Sequence, residues 1–304
     1  CLVMNNTPEQ LRLVMIDPKM LELIRFNGLP HLFGQVETDL ERILGVLQWV
    51  VSEMDRRYQV LDETRSRNID TYNNKIRKRK GGEIMPRSVV MIDELADLMM
   101  MAPAQTEFSL VRLAQMARAV GIHLVVATQR PSTDVVTGLI KANFPARMSF
   151  AVASSVDSRV ILDMNGAESL LGNGDMLFLA PDASSPIRAQ GCMVTPKELD
   201  GVINTWKGLS DLETEEILPP WEEVIVEKAE IDEFDPLIKD AFKIVRDAQQ
   251  ASTSLIQRKL RIGYPRAARL MDELSALGYV SPSKGSGIER DVLIAPDEEF
   301  GDDS

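Results

Sequence analysis

Two adjacent carboxylates, Asp93 and Glu94, follow four apolar residues at positions 89–92. An apolar run of this length predicts a buried strand that ends at the two acids. The order is typical of a Walker B segment, in which the aspartate holds the magnesium ion of a bound nucleotide and the glutamate polarises the attacking water. Taken alone, the pattern also fits a structural strand followed by the solvated start of a helix.

Neighbouring runs predict a sheet around these acids. Residues 13–17, 121–129 and 148–152 read as three more strands, and a helical pattern occupies 108–119. Strands that alternate with helices predict an α/β fold with a parallel, doubly wound sheet, whose ligands bind at the carboxyl ends of the strands. The pair Thr128–Gln129 is a candidate sensor of a nucleotide γ-phosphate or, alternatively, a polar cap on the next turn. Five polar side chains fall at the strand ends: Asp17, Asp93, Glu94, Thr128 and Gln129.

Eight segments in one order carry a more specific signal than any single motif. They lie at 11–23, 28–32, 52–58, 89–100, 112–150, 157–179, 186–191 and 254–282. Together they resemble the motor and terminal module of the FtsK/SpoIIIE family of double-stranded DNA translocases. The resemblance covers nearly the whole chain apart from an acidic linker and tail. It implies a RecA-like P-loop NTPase core with a parallel sheet, truncated at its N-terminus, followed by a small winged helix-turn-helix domain.

The resemblance assigns roles at the predicted nucleotide site. It implies that Asp93 organises magnesium, that Glu94 positions the attacking water and that Gln129 senses the γ-phosphate. Their places at strand ends make Asp17 and Thr128 candidate contacts of the bound nucleotide. ATP and Mg²⁺ are therefore the expected cofactors.

The resemblance also implies a ring, most simply a homo-hexamer, with a nucleotide at each interface. Such a ring needs a cation from the adjacent subunit to stabilise transition-state charge. The family position for this cation matches Arg118, and the alternative is an ordinary arginine on a helix surface. Arg130 and Lys141 match the positions that contact DNA phosphates in the channel. A third channel position, a lysine in the family, is Val156 here.

One motif of the family is missing from the sequence. No Gly-x-x-x-x-Gly-Lys-Ser/Thr segment occurs, although that loop and its lysine cradle the phosphates. In the family it lies just upstream of the position of Cys1, so we expect the chain to begin after the P-loop helix and not to hydrolyse ATP alone. A lipid-modified Cys1 is the alternative, which no signal segment supports.

The net charge of −12 is unevenly distributed. Residues 211–235 carry −10 and residues 291–304 carry −6, whereas 1–210 carry −1 and 236–290 carry +5. The acidity therefore lies in a linker and a tail, and the last module is basic. The linker is expected to be a solvated spacer, and the alternative is that it competes with DNA for the basic module.

Four divisions of the chain follow from these patterns. We expect an ATPase motor core at 1–210, an acidic linker at 211–235, a winged-helix DNA-binding domain at 236–294 and an acidic tail at 295–304. No run of eighteen apolar residues occurs, so the sequence predicts no membrane segment. We expect the protein at the cytoplasmic side of the bacterial cell membrane, with any anchor outside this sequence. Its two cysteines favour a reducing compartment.

The last module reads as three helices and a wing. The helices are predicted at 237–248, 252–260 and 265–277, and two short strands near 279–280 and 291–294 complete a winged helix-turn-helix. The third helix is expected in the major groove of DNA.

Two arginines on the third predicted helix, Arg266 and Arg269, share a face with Asp272 or Glu273. Arginine can read guanine edges and a carboxylate can accept from cytosine. The alternative is that the arginines only pair with phosphates or with the acids of their own helix. The family's reading helix has asparagine, arginine and glutamate, where this chain has Pro265, Arg269 and Asp272, so its preferred DNA sequence is open.

These observations predict an ATP-driven ring translocase of double-stranded DNA in bacterial chromosome segregation and cell division. Recombinase or divisome proteins are further candidate partners. One alternative is a related ring ATPase of secretion or plasmid transfer, against which the basic winged helix argues. The other is a DNA-binding regulator with a vestigial ATPase, against which Glu94 and Gln129 argue.

Overall fold

The computed structural model describes residues 1–79, 83–209, 219–222, 225, 235, 237–281, 290–295 and 300. They fall into two compact units, residues 1–225 (unit 1) and 226–304 (unit 2), which are considered separately.

A parallel sheet lies at the centre of unit 1. Its strands are β1 (Leu11–Ile16), β2 (Arg87–Ile92) and β3 (Ile122–Val126), in the order β1-β2-β3. Both pairings are parallel. The strands predicted at 13–17 and 89–92 and the parallel arrangement are thus confirmed, and the strand predicted at 121–129 is confirmed except that it ends at Val126. Alternate residues of each strand point to the same face of the sheet. On one face these residues are apolar, and they pack with the helices in the larger hydrophobic core.

Eight helices of unit 1 lie within the described residues. They are α1 (Leu2–Asn5), α2 (Leu40–Glu63), α3 (Ile69–Lys78), α4 (Leu95–Met101), α5 (Pro103–Met116), α6 (Gly138–Asn143), α7 (Ser155–Leu162) and α8 (Pro196–Leu209). Local sequence explains their starts. The Asp39 side chain accepts from two backbone amides at the start of α2, and Ser154 with Asp157 forms a capping box on α7. The helical pattern predicted at 108–119 is the second half of α5.

The fourth predicted strand does not join the parallel sheet. It forms β4 (Arg147–Ser149), which pairs antiparallel with β5 (Asp175–Leu179), and β5 pairs antiparallel with β6 (Ile187–Gln190). The expectation that 148–152 continues the parallel sheet was therefore wrong. An apolar run predicts a strand, but the partner and its direction depend on distant segments.

A buried arginine fixes the beginning of two strands to α2. Arg57 on α2 is 1 % exposed. Its guanidinium donates to the carbonyl oxygens of Pro86 at 2.9 Å and Val120 at 3.1 Å, and to Ser88 Oγ at 2.8 Å. It also pairs with Glu53 at 2.7 Å. Since Pro86 precedes β2 and Val120 precedes β3, one side chain joins three elements.

Replacing Arg57 with methionine should lower the free energy of unfolding of unit 1 by about 3–5 kcal/mol, because buried carbonyl groups lose their donor. Equilibrium unfolding in urea measures the change. Arg56→Met is the matched control, since Arg56 also pairs with Glu53 but its side chain is 60 % exposed. The control should lose under about 1 kcal/mol. Equal losses would contradict the structural role given to Arg57.

Part of the predicted linker packs on unit 1. Trp221 is buried, stacks edge-on against Trp49 and donates its indole N–H to Glu37 at 2.7 Å. Glu222 accepts from Arg42 at 2.6 Å. Residues 210–218, 223–224 and 226–234 lie outside the described residues, so the boundaries proposed for the linker stay predictions.

Unit 2 contains the three predicted helices, α9 (Ile238–Ala248), α10 (Thr253–Leu260) and α11 (Tyr264–Ala276). Ser252 caps α10 as expected, and Gly278 with φ of +80° ends the segment after α11. Phe242, Ile256 and Leu270 lie in a shared apolar core. Antiparallel bridges join Ala251 to Arg290 and Val280 to Val292. Residues 282–289 of the predicted wing, and 296–299 and 301–304 of the predicted tail, lie outside the described residues.

Among the helices that the structure describes, none combines the length and the apolar character that a bilayer crossing requires.

Candidate active site

The carboxyl edge of the parallel sheet brings the predicted site residues together. Ile16 of β1 pairs with Ile92 of β2, which pairs with Val126 of β3. All three strands therefore end at one level. Backbone bonds extend this alignment past the strands: Asp93 N donates to Ile16 O at 3.0 Å, and Leu95 N donates to Ala127 O at 2.8 Å.

Glu94 is one of two fully buried acids of this edge. It is 0 % exposed and precedes α4, where its Oε1 accepts from Ala96 N at 3.2 Å. Lys19 Nζ donates to Oε2 at 2.7 Å, and the Thr128 hydroxyl donates to Oε1. The Gln129 amide lies 3.2 Å from Oε2. Burial raises the pKa of Glu94, but these donors outweigh burial and hold the pKa below its ordinary value.

Asp93, unlike Glu94, has a buried carboxylate oxygen, Oδ2, for which the described residues supply no hydrogen-bond donor. Burial, together with the negative charges of Asp17, Glu22 and Glu94, raises the pKa of Asp93. A hard dication would satisfy such an oxygen. Mg²⁺ is typically held by one or two carboxylates together with substrate phosphates, so the residues present fit the expected ion.

Asp17 organises the turn that follows β1. It is 0 % exposed, its Oδ1 accepts from Lys19 N at 3.2 Å, and its Oδ2 accepts from Glu22 N at 3.0 Å and Leu23 N at 2.9 Å. Both oxygens are thus engaged with the chain's own backbone. The contact of Asp17 with a nucleotide stays a prediction.

Thr128 and Gln129 reach the site in different ways. Thr128 Oγ1 donates to Glu94 and also accepts from Arg130 N at 3.1 Å. Gln129 contributes its backbone amide to Glu94, while the residue itself is exposed. The exposed Gln129 side chain is therefore available at the edge where a γ-phosphate is expected.

Arg118 lies at the other end of the sheet. It is exposed, follows α5 and precedes β3. The five residues of β3 span roughly 17 Å at about 3.3 Å per residue. Arg118 is therefore distant from Glu94 of its own chain. This position is compatible with a contact to the nucleotide site of another subunit.

The two predicted channel cations have different surroundings. Arg130 is exposed, and its Nη1 lies 3.7 Å from Met100 Sδ. Lys141 on α6 pairs with Asp163 at 2.7 Å, and Arg147 pairs with the same carboxylate at 2.6 Å.

In unit 2 the basic side chains of α11 have acidic partners. Arg266 donates to both oxygens of Asp235, at 2.6 and 2.7 Å, and Arg269 donates to Glu273 at 3.0 Å. Asp272 accepts from Arg290 at 2.5 Å. In the pairs made by Arg266 and Arg269 the arginine is the more exposed partner, with 48 % and 70 % of its side chain exposed, so each guanidinium can reach phosphates or bases in solution.

Lys19 is the site residue that the sequence analysis missed. Its ammonium group makes the only ion pair of Glu94 among the described residues. The signal was its position, two residues after Asp17 at the end of a strand in the same sheet as β2. Hydrogen bonding to Glu94 raises the pKa of Lys19, so the ammonium group of Lys19 stays protonated at neutral pH.

Asp93→Asn should raise the free energy of unfolding by about 1 kcal/mol near neutral pH, within the range of single stabilising substitutions. The raised pKa means that the folded state disfavours the ionised acid, so the penalty grows as pH rises above the ordinary aspartate value of about 3.9. Urea unfolding at neutral and acidic pH measures the gain, which should vanish in acid. Asp134→Asn, at an exposed position, is the control. A loss of stability in Asp93→Asn at neutral pH would contradict this account.

Two family models match the chain. The model described as the FtsK/SpoIIIE family matches residues 1–133, and the model described as the Ftsk gamma domain matches residues 232–295. The second match covers the three helices of unit 2.

Curated relatives match over nearly the whole chain. A DNA translocase FtsK of Clostridium tetani is 49 % identical over 303 residues, covering 98 % of this chain and 40 % of the relative. The DNA translocase SftA of Bacillus subtilis is 47 % identical over 292 residues, covering 94 % of this chain and 30 % of the relative. The chain thus spans 40 % or less of the length of these two relatives.

Two solved structures share the fold. The pCW3 conjugation coupling protein TcpA, solved as a monomer with ATPγS, superposes with a TM-score of 0.53 at 30 % identity, covering 60 % of this chain and 52 % of TcpA. The cytoplasmic domain of the type VII secretion ATPase EccC of Thermomonospora curvata gives 0.60 at 22 % identity, covering 72 % and 26 %. The latter likeness concerns the fold alone.

Proposed function

The chain belongs to the FtsK/SpoIIIE family, and we propose that the protein containing it is an ATP-driven translocase of double-stranded DNA. One observation carries the proposal. The carboxyl edge of a parallel sheet holds a buried, hydrogen-bonded glutamate next to an aspartate whose buried oxygen has no donor among the described residues. The aspartate is thus suited to holding a cation, and the adjacent glutamate can orient water once one of its donors is released.

The residues of this chain divide the work of hydrolysis. Asp93 would hold Mg²⁺, which when bound stabilises negative charge on the phosphates. Glu94 orients and polarises the attacking water, and Thr128 fixes the direction of the Glu94 carboxylate. The Gln129 side chain donates to the γ-phosphate. No phosphate-cradling Gly-x-x-x-x-Gly-Lys-Ser/Thr loop occurs in this sequence, and hydrolysis is proposed for the complete protein.

Assembly into a homo-hexamer would complete each site. Arg118 lies at the opposite end of β3 from Glu94, so it would act on the nucleotide of an adjacent subunit. An arginine in that position stabilises charge that develops in the transition state.

DNA contacts would come from both units. Arg130 and Lys141 are proposed to contact phosphates in the channel, where binding needs no sequence preference. In unit 2, α11 is proposed to enter the major groove, with Arg266, Arg269 and Asp272 facing the bases.

The alternative of a secretion or plasmid-transfer ATPase is supported by the likeness to TcpA, which covers 60 % of this chain. The gamma-domain match at residues 232–295 favours translocation of DNA in chromosome segregation and division. Recombinase or divisome partners, and a place at the cytoplasmic face of the membrane, remain predictions.

The ring proposal predicts complementation between two inactive variants of the complete protein. Glu94→Gln should retain ATP binding but lose steady-state hydrolysis, and Arg118→Ala should also be inactive. Mixed rings should recover activity, because some interfaces receive an intact Glu94 from one subunit and an intact Arg118 from the next. DNA-stimulated ATPase activity across mixing ratios measures the recovery.

A control mixture of Glu94→Gln with Glu94→Ala should stay inactive, since none of its interfaces contains an intact Glu94. Turnover near the wild-type rate in Glu94→Gln alone would refute the assignment of the glutamate. Absence of recovery in every Glu94→Gln and Arg118→Ala mixture would refute the role of Arg118 between subunits.

The groove proposal predicts a base-dependent effect of Arg269. Isolated unit 2 should bind duplex DNA with an affinity that falls steeply with salt. Arg269→Ala should cost about 1–3 kcal/mol on a selected site and less on random duplex. Fluorescence anisotropy at two salt concentrations measures both. Arg258→Ala on α10 is the matched control, expected to weaken both duplexes equally. Equal losses for Arg269→Ala would limit that residue to phosphate contact.

A further inference from the structure

Four donors among the described residues already occupy the Glu94 carboxylate. A carboxylate offers about four lone-pair sites. Here the donors are Lys19 Nζ at 2.7 Å, the Thr128 hydroxyl, Gln129 N at 3.2 Å and Ala96 N at 3.2 Å. A water that Glu94 is to polarise must donate a hydrogen bond to it, so at least one of these donors has to leave first.

Lys19 is the donor that can leave. The Ala96 amide belongs to the start of α4, and the Gln129 amide is part of the backbone after β3. Lys19 instead reaches Glu94 through a flexible four-carbon stem, and its side chain is 22 % exposed, so water can replace the lost contact. The turn that carries Lys19 is fixed by the three backbone bonds to Asp17, so departure of the ammonium group needs only rotation of the side chain.

We propose that Lys19 is a positioning residue that holds Glu94 away from the attacking water until DNA engages the segment 128–130. The proposal rests on the function proposed for Glu94. It adds a residue to the site and a reason why hydrolysis would await DNA.

The connection to DNA runs through Thr128. Its Oγ1 donates to Glu94 and accepts from Arg130 N at 3.1 Å. Arg130 is exposed and is the channel cation nearest in sequence to the site. When its guanidinium binds a phosphate, the segment 128–130 is drawn towards the DNA, and the Thr128 hydroxyl and the Gln129 amide stay bonded to the Glu94 carboxylate and turn it with them. The carboxylate can then turn from Lys19 towards the water.

The test uses the complete ring-forming protein with Lys19→Met, which keeps the length of the side chain and removes its charge. Steady-state ATP hydrolysis is measured with and without linear duplex DNA. Without DNA, kcat should rise about tenfold, as expected when one charge-assisted hydrogen bond no longer restrains the carboxylate. The DNA-stimulated kcat and the KM for ATP should change less than about twofold, so the stimulation ratio should fall.

Two comparisons separate this role from simple structural support. Lys19→Arg keeps the positive charge and should restore most of the stimulation ratio, whereas Lys197→Met, at an exposed position on α8, should leave both rates unchanged. A fall of both rates in Lys19→Met, or an unchanged ratio, would overturn the proposal. If Lys19→Met does not form rings, Lys19→Gln, which is polar but uncharged, decides: a raised DNA-free rate supports the proposal and an unchanged or lowered one overturns it.

Glu94→Gln, measured in parallel, keeps the two claims apart. Near-normal turnover in that variant would remove the proposed function itself. An inactive Glu94→Gln together with an unchanged ratio in Lys19→Met would remove only the role of Lys19.

Discussion

The parallel register of three strands is the constraint on which the site depends. Ile16, Ile92 and Val126 occupy one level across the sheet, so the residues that follow them meet at one edge. Acids and donors that are far apart in the sequence thereby become neighbours. A slip of one residue in β2 would turn Glu94 to the opposite face of the sheet and separate it from Lys19 and Thr128.

Placing several carboxylates at one partly buried edge is electrostatically unfavourable. Hydrogen-bond donors offset this cost for some of these carboxylates but not for all of them. Asp17 is satisfied by three backbone amides and Glu94 by four donors, one of them charged. Asp93 retains a buried oxygen that has no donor in the part of the chain that the structure describes. The remaining electrostatic cost is thus concentrated on a single side chain. A bound cation would neutralise the charge of this side chain. The same uncompensated carboxylate would therefore lower the stability of the fold and favour binding of the cation.

Local patterns predicted most of the elements, because apolar periodicity and helix caps are properties of neighbouring residues. The strand before Asp93, the cap at Ser252 and the three helices of unit 2 are of this kind. Which strand or side chain an element pairs with is not determined by neighbouring residues. The antiparallel pairing of β4, the reach of Lys19 to a glutamate 75 positions away and the bond from Trp221 to Glu37 depend on segments brought together only by folding. The residues proposed to face a neighbouring subunit or DNA were identified through family resemblance, since their proposed partners lie outside the chain.

The attachment made by Arg57 has a mechanical consequence for a protein that would exert force. This guanidinium binds the carbonyl oxygen of Val120, two residues beyond Arg118, and the carbonyl oxygen just before β2. A load applied at Arg118 by an adjacent subunit would therefore pass through a short, rigid link into the long helix α2. The opposite edge of the sheet, which carries Glu94, would be spared the deformation. One end of the sheet would thus be anchored to a long helix, while the proposed hydrolysis would take place at the opposite end.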